Sequence, residues 1–323
     1  MIFAPLHIVS CYTFLESGLT IERIKESVLK ENYFGAAIAD KKVMYGVPFF
    51  VKAMEEIKKG ALVGLNIAVE EESLCLYALN EAGYRNLCLL STHAEQSDVT
   101  LKELADYKEG LACILETSKG KFLEEFKDKE VDTTFTHRLN KYAKLFNDFY
   151  LGVEVTSKED VKYANKIRTF ASEFNYQTIA FPTVLYQKKD DAIVLTMVKA
   201  IKDDDKITTK KESGQSYFMK ESDYQKIYTP HELKLTVELI KKSDFNYHQK
   251  RGEILHFPVE NSELYLRDQV AKGLAHKGFA TDVNYLNRAN HEVDVIVKMG
   301  YADYFLVVQD YVLYAKNNGI LVG

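Results

Sequence analysis

GAAIADKKVMYGVPFFVKAMEEIKKGALVGLNIAV, residues 35–69, holds the pattern that decides the fold. Residues 35–40 are a short apolar run that ends on a carboxylate, Asp40, and read as a buried strand. Residues 45–59 read as a helix, and residues 61–69 return to a strand-like run. Strand, helix, strand is the repeating unit of an α/β fold, in which helices cover a largely parallel sheet.

Outward from that unit the rhythm continues. Residues 2–10 read as a strand, and Thr20 is placed to cap a helix with Ile21, Ile24, Val28 and Leu29 on one face. SLCLYAL (73–79), GLACILE (110–116) and FYLGVEV (149–155) repeat the strand signal. Ser157, with Asp160 three residues on, marks a helix start; its stripe is Val161, Ala164, Ile167, Phe170, Ala171 and Phe174. QTIAFPTVLY (177–186) is a further strand, in which Pro182 signals a bulge, an edge or the strand's end. Periodicity leaves a barrel and an open doubly wound sheet equally open.

Past residue 201 the character changes. Residues 202–215 are charged and apolar-poor, which predicts a loop or linker. Thr229, Pro230 and Glu232 then supply a cap, a first-turn proline and a capping-box acid. Residues 262–319 read as three helical segments broken at Gly278 and Gly300. The expected division is 1–250 and 251–323, and the apolar run ILVG at 320–323 reads as a truncated end.

Composition narrows the class without naming a function. The 323 residues are 46% hydrophobic and 28% charged, with net charge −5, which fits a globular domain and not a free-standing basic nucleic-acid binder. No apolar run nears the roughly 18 residues of a membrane helix, and no signal peptide is evident; a cytoplasmic protein is expected. Cys11, Cys75, Cys88 and Cys113 form no C-x-x-C pair and are expected as free thiols, mostly buried.

Chemistry in βα folds gathers at the C-terminal ends of strands, which directs attention to His7, Asp40 and the strand ends near Asn66 and Leu185. Here the sequence becomes specific. LHIVSCYTFLESG (6–18), AIADKKVMYGVPFF (37–50), LVGLNIAV (62–69), ALNEAGYRNLCLLS (78–91) and VLYQKKDDA (184–192) resemble, in order and spacing, the PHP (polymerase and histidinol phosphatase) domain. The version they resemble opens the bacterial C-family polymerases, the DNA polymerase III alpha subunits. MGYADYFLVVQDYVLYAKNNGILVG (299–323) is similar to the stretch that leads into that family's glycine-rich nucleotide loop. The resemblance spans the chain, thins over 97–149, and is nearest to DnaE-type enzymes of low-GC Gram-positive bacteria.

The resemblance implies a PHP-type distorted (βα)7 barrel followed by a mainly helical start of the polymerase palm. It also implies a cluster of divalent metals, held by converging His, Asp and Glu ligands. Position by position, the H-x-H motif is His7 and Val9, and the Asp-His pair is Asp40 and Lys41. The third-strand glutamate is Asn66, and the late Asp-x-His is Thr183 and Leu185. Two of the seven positions keep a usable ligand, so no metal is expected, His7 and Asp40 being read as core and turn residues. Lys41 is placed to replace the lost cation by pairing with Asp40 or its neighbours.

The remaining expectations follow from the family. The parent would be a DNA-directed DNA polymerase using Mg2+, with DNA and replisome proteins as partners. This chain would hold no catalytic or nucleotide-binding residues, be monomeric, and not polymerise. The alternatives are a metal-dependent phosphoesterase or proofreading 3'-5' exonuclease at the PHP site, or a docking module for a separate replisome subunit. Residues 83–87 could present an anion site, but the family match and the apolar Leu87, Leu89 and Leu90 favour packing; Arg288, Tyr301, Tyr304 and Phe305 could stack on nucleic acid, but Tyr304, Phe305, Val308 and Tyr311 keep helical spacing, which favours a core. His93, His137, His231, His248, His256, His276 and His291 have no ligand spacing and are assigned nothing.

Overall fold

The computed structural model describes residues 3–128, 133–204, 206, 214–247 and 255–323. The chain divides into two compact units, Met1–His248 and Gln249–Gly323. The expected linker falls mostly on residues 205 and 207–213, outside the described residues, as do Ile2 and His248.

One sheet organises the first unit. Its strands are β1 (His7–Ile8), β2 (Gly35–Lys41), β3 (Gly60–Val69), β4 (Glu72–Ala78), β5 (Leu111–Glu116), β6 (Phe149–Val153), β7 (Gln177–Ala180) and β8 (Thr183–Val184). They lie in the order β7-β6-β5-β4-β3-β2-β1-β8. β4 runs antiparallel to both neighbours; the other pairs are parallel.

The two edge strands are consecutive in the chain. Only Phe181 and Pro182 separate Ala180 of β7 from Thr183 of β8, and three residue steps reach at most about 11 Å. The sheet must therefore curl until its first and last strands nearly meet. This is the barrel-like α/β architecture expected, built from eight strands with one antiparallel hairpin. Pro182 marks the end of β7, because it has no N–H to extend a ladder.

Alternation along the strands sorts the core into two layers. Ala37, Ala39, Leu62, Tyr77, Ile114 and Ile179 point inward and pack with Leu235, Leu239 and Ile240 of the helix Pro230–Lys242. Ile38, Val63, Leu65, Leu76, Leu115 and Leu151 point outward, beneath the flanking helices. The inner residues are small where a large one crosses: a Cβ on Gly64 would stand 2.6 Å from the Tyr77 ring. Ile240 lies against Gly60 at the start of β3, and Thr236 Oγ1 accepts from Ala4 N at 3.1 Å. The helix thus plugs the N-terminal ends of the strands and leaves their C-terminal ends to form the site.

Local signals act largely as their chemistry dictates. Thr20 caps Ile21–Lys30, and Thr229 and Glu232 form the capping box of Pro230–Lys242. Ile24 and Val28 are buried while Leu29 faces out. Ser157 is not a cap. The helix Asp160–Glu173 starts later, and Asp160 Oδ2 accepts from Thr156 N, Thr156 Oγ1 and Ser157 N at 2.8–3.0 Å. Of its stripe, Ala164, Ile167, Phe170 and Ala171 are buried, and Val161 and Phe174 are not.

The second unit consists of the helices Ser262–His276, Val283–Lys298 and Ala302–Asn317, with Gly278 and Gly300 at φ +80° and +75° between them. Those left-handed positions are where glycine ends a helix at least cost. Its core is Leu266, Val293, Ala302 and Leu306. Tyr304, Phe305 and Tyr311, expected in the core, are exposed instead. The last helix turns Ala302 and Leu306, one turn apart, inward and leaves its aromatics outside. Arg288 is exposed and pairs with Glu292 at 2.7 Å.

Candidate functional site

The C-terminal ends of the strands surround a cavity of about 550 Å³. Of the seven ligand-position residues, His7, Val9, Lys41, Asn66, Thr183 and Leu185 line it. Asp40 does not. Its carboxylate is buried against the loop after β1, accepting from Ser10 N and Oγ at 2.7 Å each and from Thr13 Oγ1 at 2.8 Å. Lys41 Nζ does not reach Asp40 either; it lies 3.3 Å from Glu16, which also takes Lys202 at 2.7 Å.

The centre of the site is a residue the sequence reading passed over. Glu116, the last residue of β5, is buried and held by Asn66, Ser73 and Lys119, which line the cavity. Oε1 accepts from Asn66 Nδ2 and, at 2.8 Å, from Ser73 Oγ. Oε2 lies 2.6 Å from Lys119 Nζ and 3.7 Å from His7 Nδ1. Burial works against ionisation, but His7, once its ring is protonated in acid, Lys119 and these hydrogen bonds outweigh it and hold the carboxyl at about 2. Lys119 is correspondingly raised: burial opposes its charge and Glu116 overrides that.

His7 is buried, stacked on Phe181 with ring centroids 4.8 Å apart, and Nδ1 is 3.0 Å from Thr183 Oγ1. Burial lowers its pKa against the pull of Glu116, so the ring is neutral near pH 7. Glu154, after β6, accepts from Thr183 N at 3.1 Å and from Ser118 Oγ. Glu116 and Glu154 carried a findable signal: each is the carboxylate at or just beyond the end of a strand-like run, as Asp40 is.

Three donor types do converge. A His7 ring nitrogen, Cys75 Sγ and a Glu116 oxygen lie within 4.8 Å of one another, a spacing that could hold a metal ion. As folded, however, neighbours hold much of this set, and Glu116 Oε2, which accepts no hydrogen bond, faces the Lys119 ammonium. Thr183 holds Nδ1, Asn66 Nδ2 donates to Cys75 Sγ at 3.0 Å, and Asn66, Ser73 and Lys119 hold Glu116. Burial also pushes the Cys75 thiol well up, away from the thiolate that metals bind. A bridged cluster needs more ligands than this, and an ammonium stands at its charge centre, so the residues present do not fit one.

The other candidates resolve as packing or surface. Asn80 caps the helix Glu81–Gln96 by accepting from Gly83 N at 2.9 Å, and Leu87 and Leu90 are buried. Cys75 and Cys113 are buried, Cys88 is half-buried and Cys11 is exposed; all four are free. Among the described residues no helix is long and apolar enough to cross a membrane.

Comparison with known proteins follows the two units. Residues 5–158 match the family described as PHP domain, and residues 264–323 match the one described as bacterial DNA polymerase III alpha NTPase domain. The DNA polymerase III subunit alpha of Bacillus subtilis (strain 168) is 27% identical over 342 residues, covering 100% of this chain and 30% of that protein. That of Treponema pallidum (strain Nichols) is 26% identical over 361 residues, with the same shares. The chain thus spans about 30% of the length of these relatives. A putative metal-dependent phosphoesterase from Bifidobacterium adolescentis superposes with a TM-score of 0.37 at 14% identity, covering 55% of this chain and 86% of that one.

Proposed function

From a chain that joins a PHP domain to a polymerase III alpha domain and is homologous to DNA polymerase III alpha subunits, we propose the following function. The protein is the PHP and early palm portion of a replicative DNA polymerase, of the DnaE type found in low-GC Gram-positive bacteria. In the parent, Mg2+-dependent nucleotidyl transfer on a DNA template takes place in the cytoplasm alongside other replisome proteins. The division of labour falls near residue 250, between the PHP match and the polymerase III alpha match. It does not polymerise by itself and is monomeric.

Within it the PHP domain is a scaffold. One observation carries this reading: the Lys119 ammonium stands 2.6 Å from Glu116 Oε2 among the remaining ligand-type groups, while Thr183, Asn66 and Ser73 are within hydrogen-bond distance of His7 Nδ1, Cys75 Sγ and Glu116 Oε1. A phosphoesterase or exonuclease needs those lone pairs for metal and a metal-bound water. The engaged set argues against both alternatives. Elemental analysis of the protein purified without chelator is expected to find substoichiometric zinc, manganese and iron. Chelation is expected to leave its melting temperature unchanged. Two or more ions per chain, or manganese-dependent hydrolysis of a phosphodiester that His7→Ala abolishes, would overturn the reading.

A further inference from the structure

The buried Glu116 carboxylate needs a cation, and the chain supplies one from three residues away. Lys119 Nζ stands 2.6 Å from Glu116 Oε2. The backbone that carries it is fixed. Lys121 N donates to Glu71 O at 2.9 Å, and Gly120 takes φ +63° where a Cβ would lie 2.7 Å from the same carbonyl. The turn between β5 and the helix Gly120–Asp128 therefore presses on the β3–β4 connection and directs the Lys119 ammonium to the cavity floor. Its side chain remains half-exposed to the cavity, so removing it opens a route to Glu116 rather than a sealed void.

We infer that Lys119 is the resident cation of this site, and that His7, Cys75 and Glu116 form a latent zinc-class site that this one side chain keeps shut. The inference rests on the scaffold reading and deepens it. An uncompensated buried carboxylate must protonate, recruit a cation or destabilise the fold. Without the ammonium, Glu116 still has its neutral partners Asn66 and Ser73, while a His7 ring nitrogen and Cys75 Sγ stand within 4.8 Å. One imidazole, one thiolate and one carboxylate make the three-ligand set that zinc or cobalt completes with water. Binding releases the Cys75 thiol proton to solvent, and the ion's charge replaces that of the lysine.

Cobalt(II) titration of the full chain, read by the thiolate-to-cobalt charge-transfer band, tests this. Wild type and Lys119→Arg, which keeps the charge, are expected to give no band. Lys119→Met is expected to bind one ion per chain at least ~10-fold more tightly than wild type, with proton release, and its melting temperature is expected to rise with Zn2+. Adding Cys75→Ser to Lys119→Met should remove the band. If Lys119→Met does not fold without metal, Lys119→Gln, which keeps a donor but no charge, carries the same titration. Folded Met and Gln variants that bind no more tightly than wild type would overturn the inference and leave the scaffold reading intact. Stoichiometric binding by wild type would instead sink the scaffold reading.

Discussion

Ser10 and Asp40 are joined twice, the serine amide donating to Oδ1 and its hydroxyl to Oδ2, each at 2.7 Å. With Thr13 Oγ1 on Oδ1 as well, the carboxylate ties the loop after β1 to the end of β2. Burial pushes the Asp40 carboxyl above its ordinary value, and these hydrogen bonds pull against that. Asp40, expected at a metal-ligand position, thus serves as a loop clasp. Asp40→Ala strands a buried amide and two hydroxyls and is expected to cost about 2–3 kcal/mol; Asp40→Asn, which keeps one acceptor, about 1 kcal/mol. Urea unfolding with and without added Mn2+ checks both magnitude and metal indifference. A Mn2+-dependent difference between wild type and Asp40→Asn would contradict the clasp.

The contrast between Asp40 and Glu116 shows what the sequence could disclose. The βα rhythm was legible because buried strands and amphipathic helices impose different periods, and the caps at Thr20 and Thr229 because capping needs only local residues. That Val9, Lys41, Asn66 and Leu185 are poor metal ligands was legible because a residue's ligand chemistry is visible in one letter. The replacement network was not. Lys41 looked like the substitute cation by adjacency to Asp40, yet strand geometry sends it to Glu16, whereas Lys119 follows Glu116 around a turn. Sheet closure through Phe181 and Pro182 was hidden as well, because strand order is a long-range property. In the last helix, spacing identified an apolar face but not that Ala302 and Leu306 would take the core in place of Tyr304 and Phe305.

Gly35 and Gly60 face each other across β2 and β3, and a Cβ on Gly35 would lie 2.4 Å from Gly60 O. The obstacle is backbone, which cannot rotate away. Gly35→Ala is therefore expected to destabilise by roughly 2 kcal/mol or more. Gly273 provides the internal control. It lies within the helix Ser262–His276 with nothing inside 4 Å of its Cβ position, so Gly273→Ala should stabilise by about 0.5–1 kcal/mol. Because the two glycines belong to different compact units, the changes should appear in separate unfolding transitions if the units melt independently. Equal effects at the two positions would contradict the close strand approach.

Arg168 clasps Glu232 with Nε on Oε1 and a terminal nitrogen on Oε2, both at 2.9 Å. Glu232 is buried and simultaneously serves the capping box of the helix that plugs the barrel. Burial opposes its charge, but Arg168 and the Thr229 amide hold the carboxyl below its ordinary value. Arg168→Met leaves a buried carboxylate without its cation and is expected to cost about 3–5 kcal/mol. The double change Arg168→Met with Glu232→Gln should recover part of that loss, since no unpaired charge remains. A double mutant no more stable than Arg168→Met would show that the ion pair is not what the single change disrupts.

Acid should reveal Glu116 directly. Its folded pKa is depressed to about 2, from an ordinary value of 4.5. The unfolded state therefore binds the proton first as pH falls, and the stabilisation is complete above about 4.5 and lost as pH falls towards 2. At 1.36 kcal/mol per unit this amounts to roughly 3 kcal/mol. His7 acts in the same direction at higher pH. Burial keeps its ring neutral in the folded state, so stability begins to fall below the ordinary imidazole value of 6.5. Glu116→Gln preserves the shape while removing the titrating group. At neutral pH it should be less stable than wild type by an amount of that order, and below pH 4.5 the two curves should converge while the His7 limb persists in both. Urea unfolding at closely spaced pH values measures this. Parallel curves between pH 4.5 and 2 would mean that the Lys119–Glu116 pair does not hold the carboxylate ionised in the folded protein.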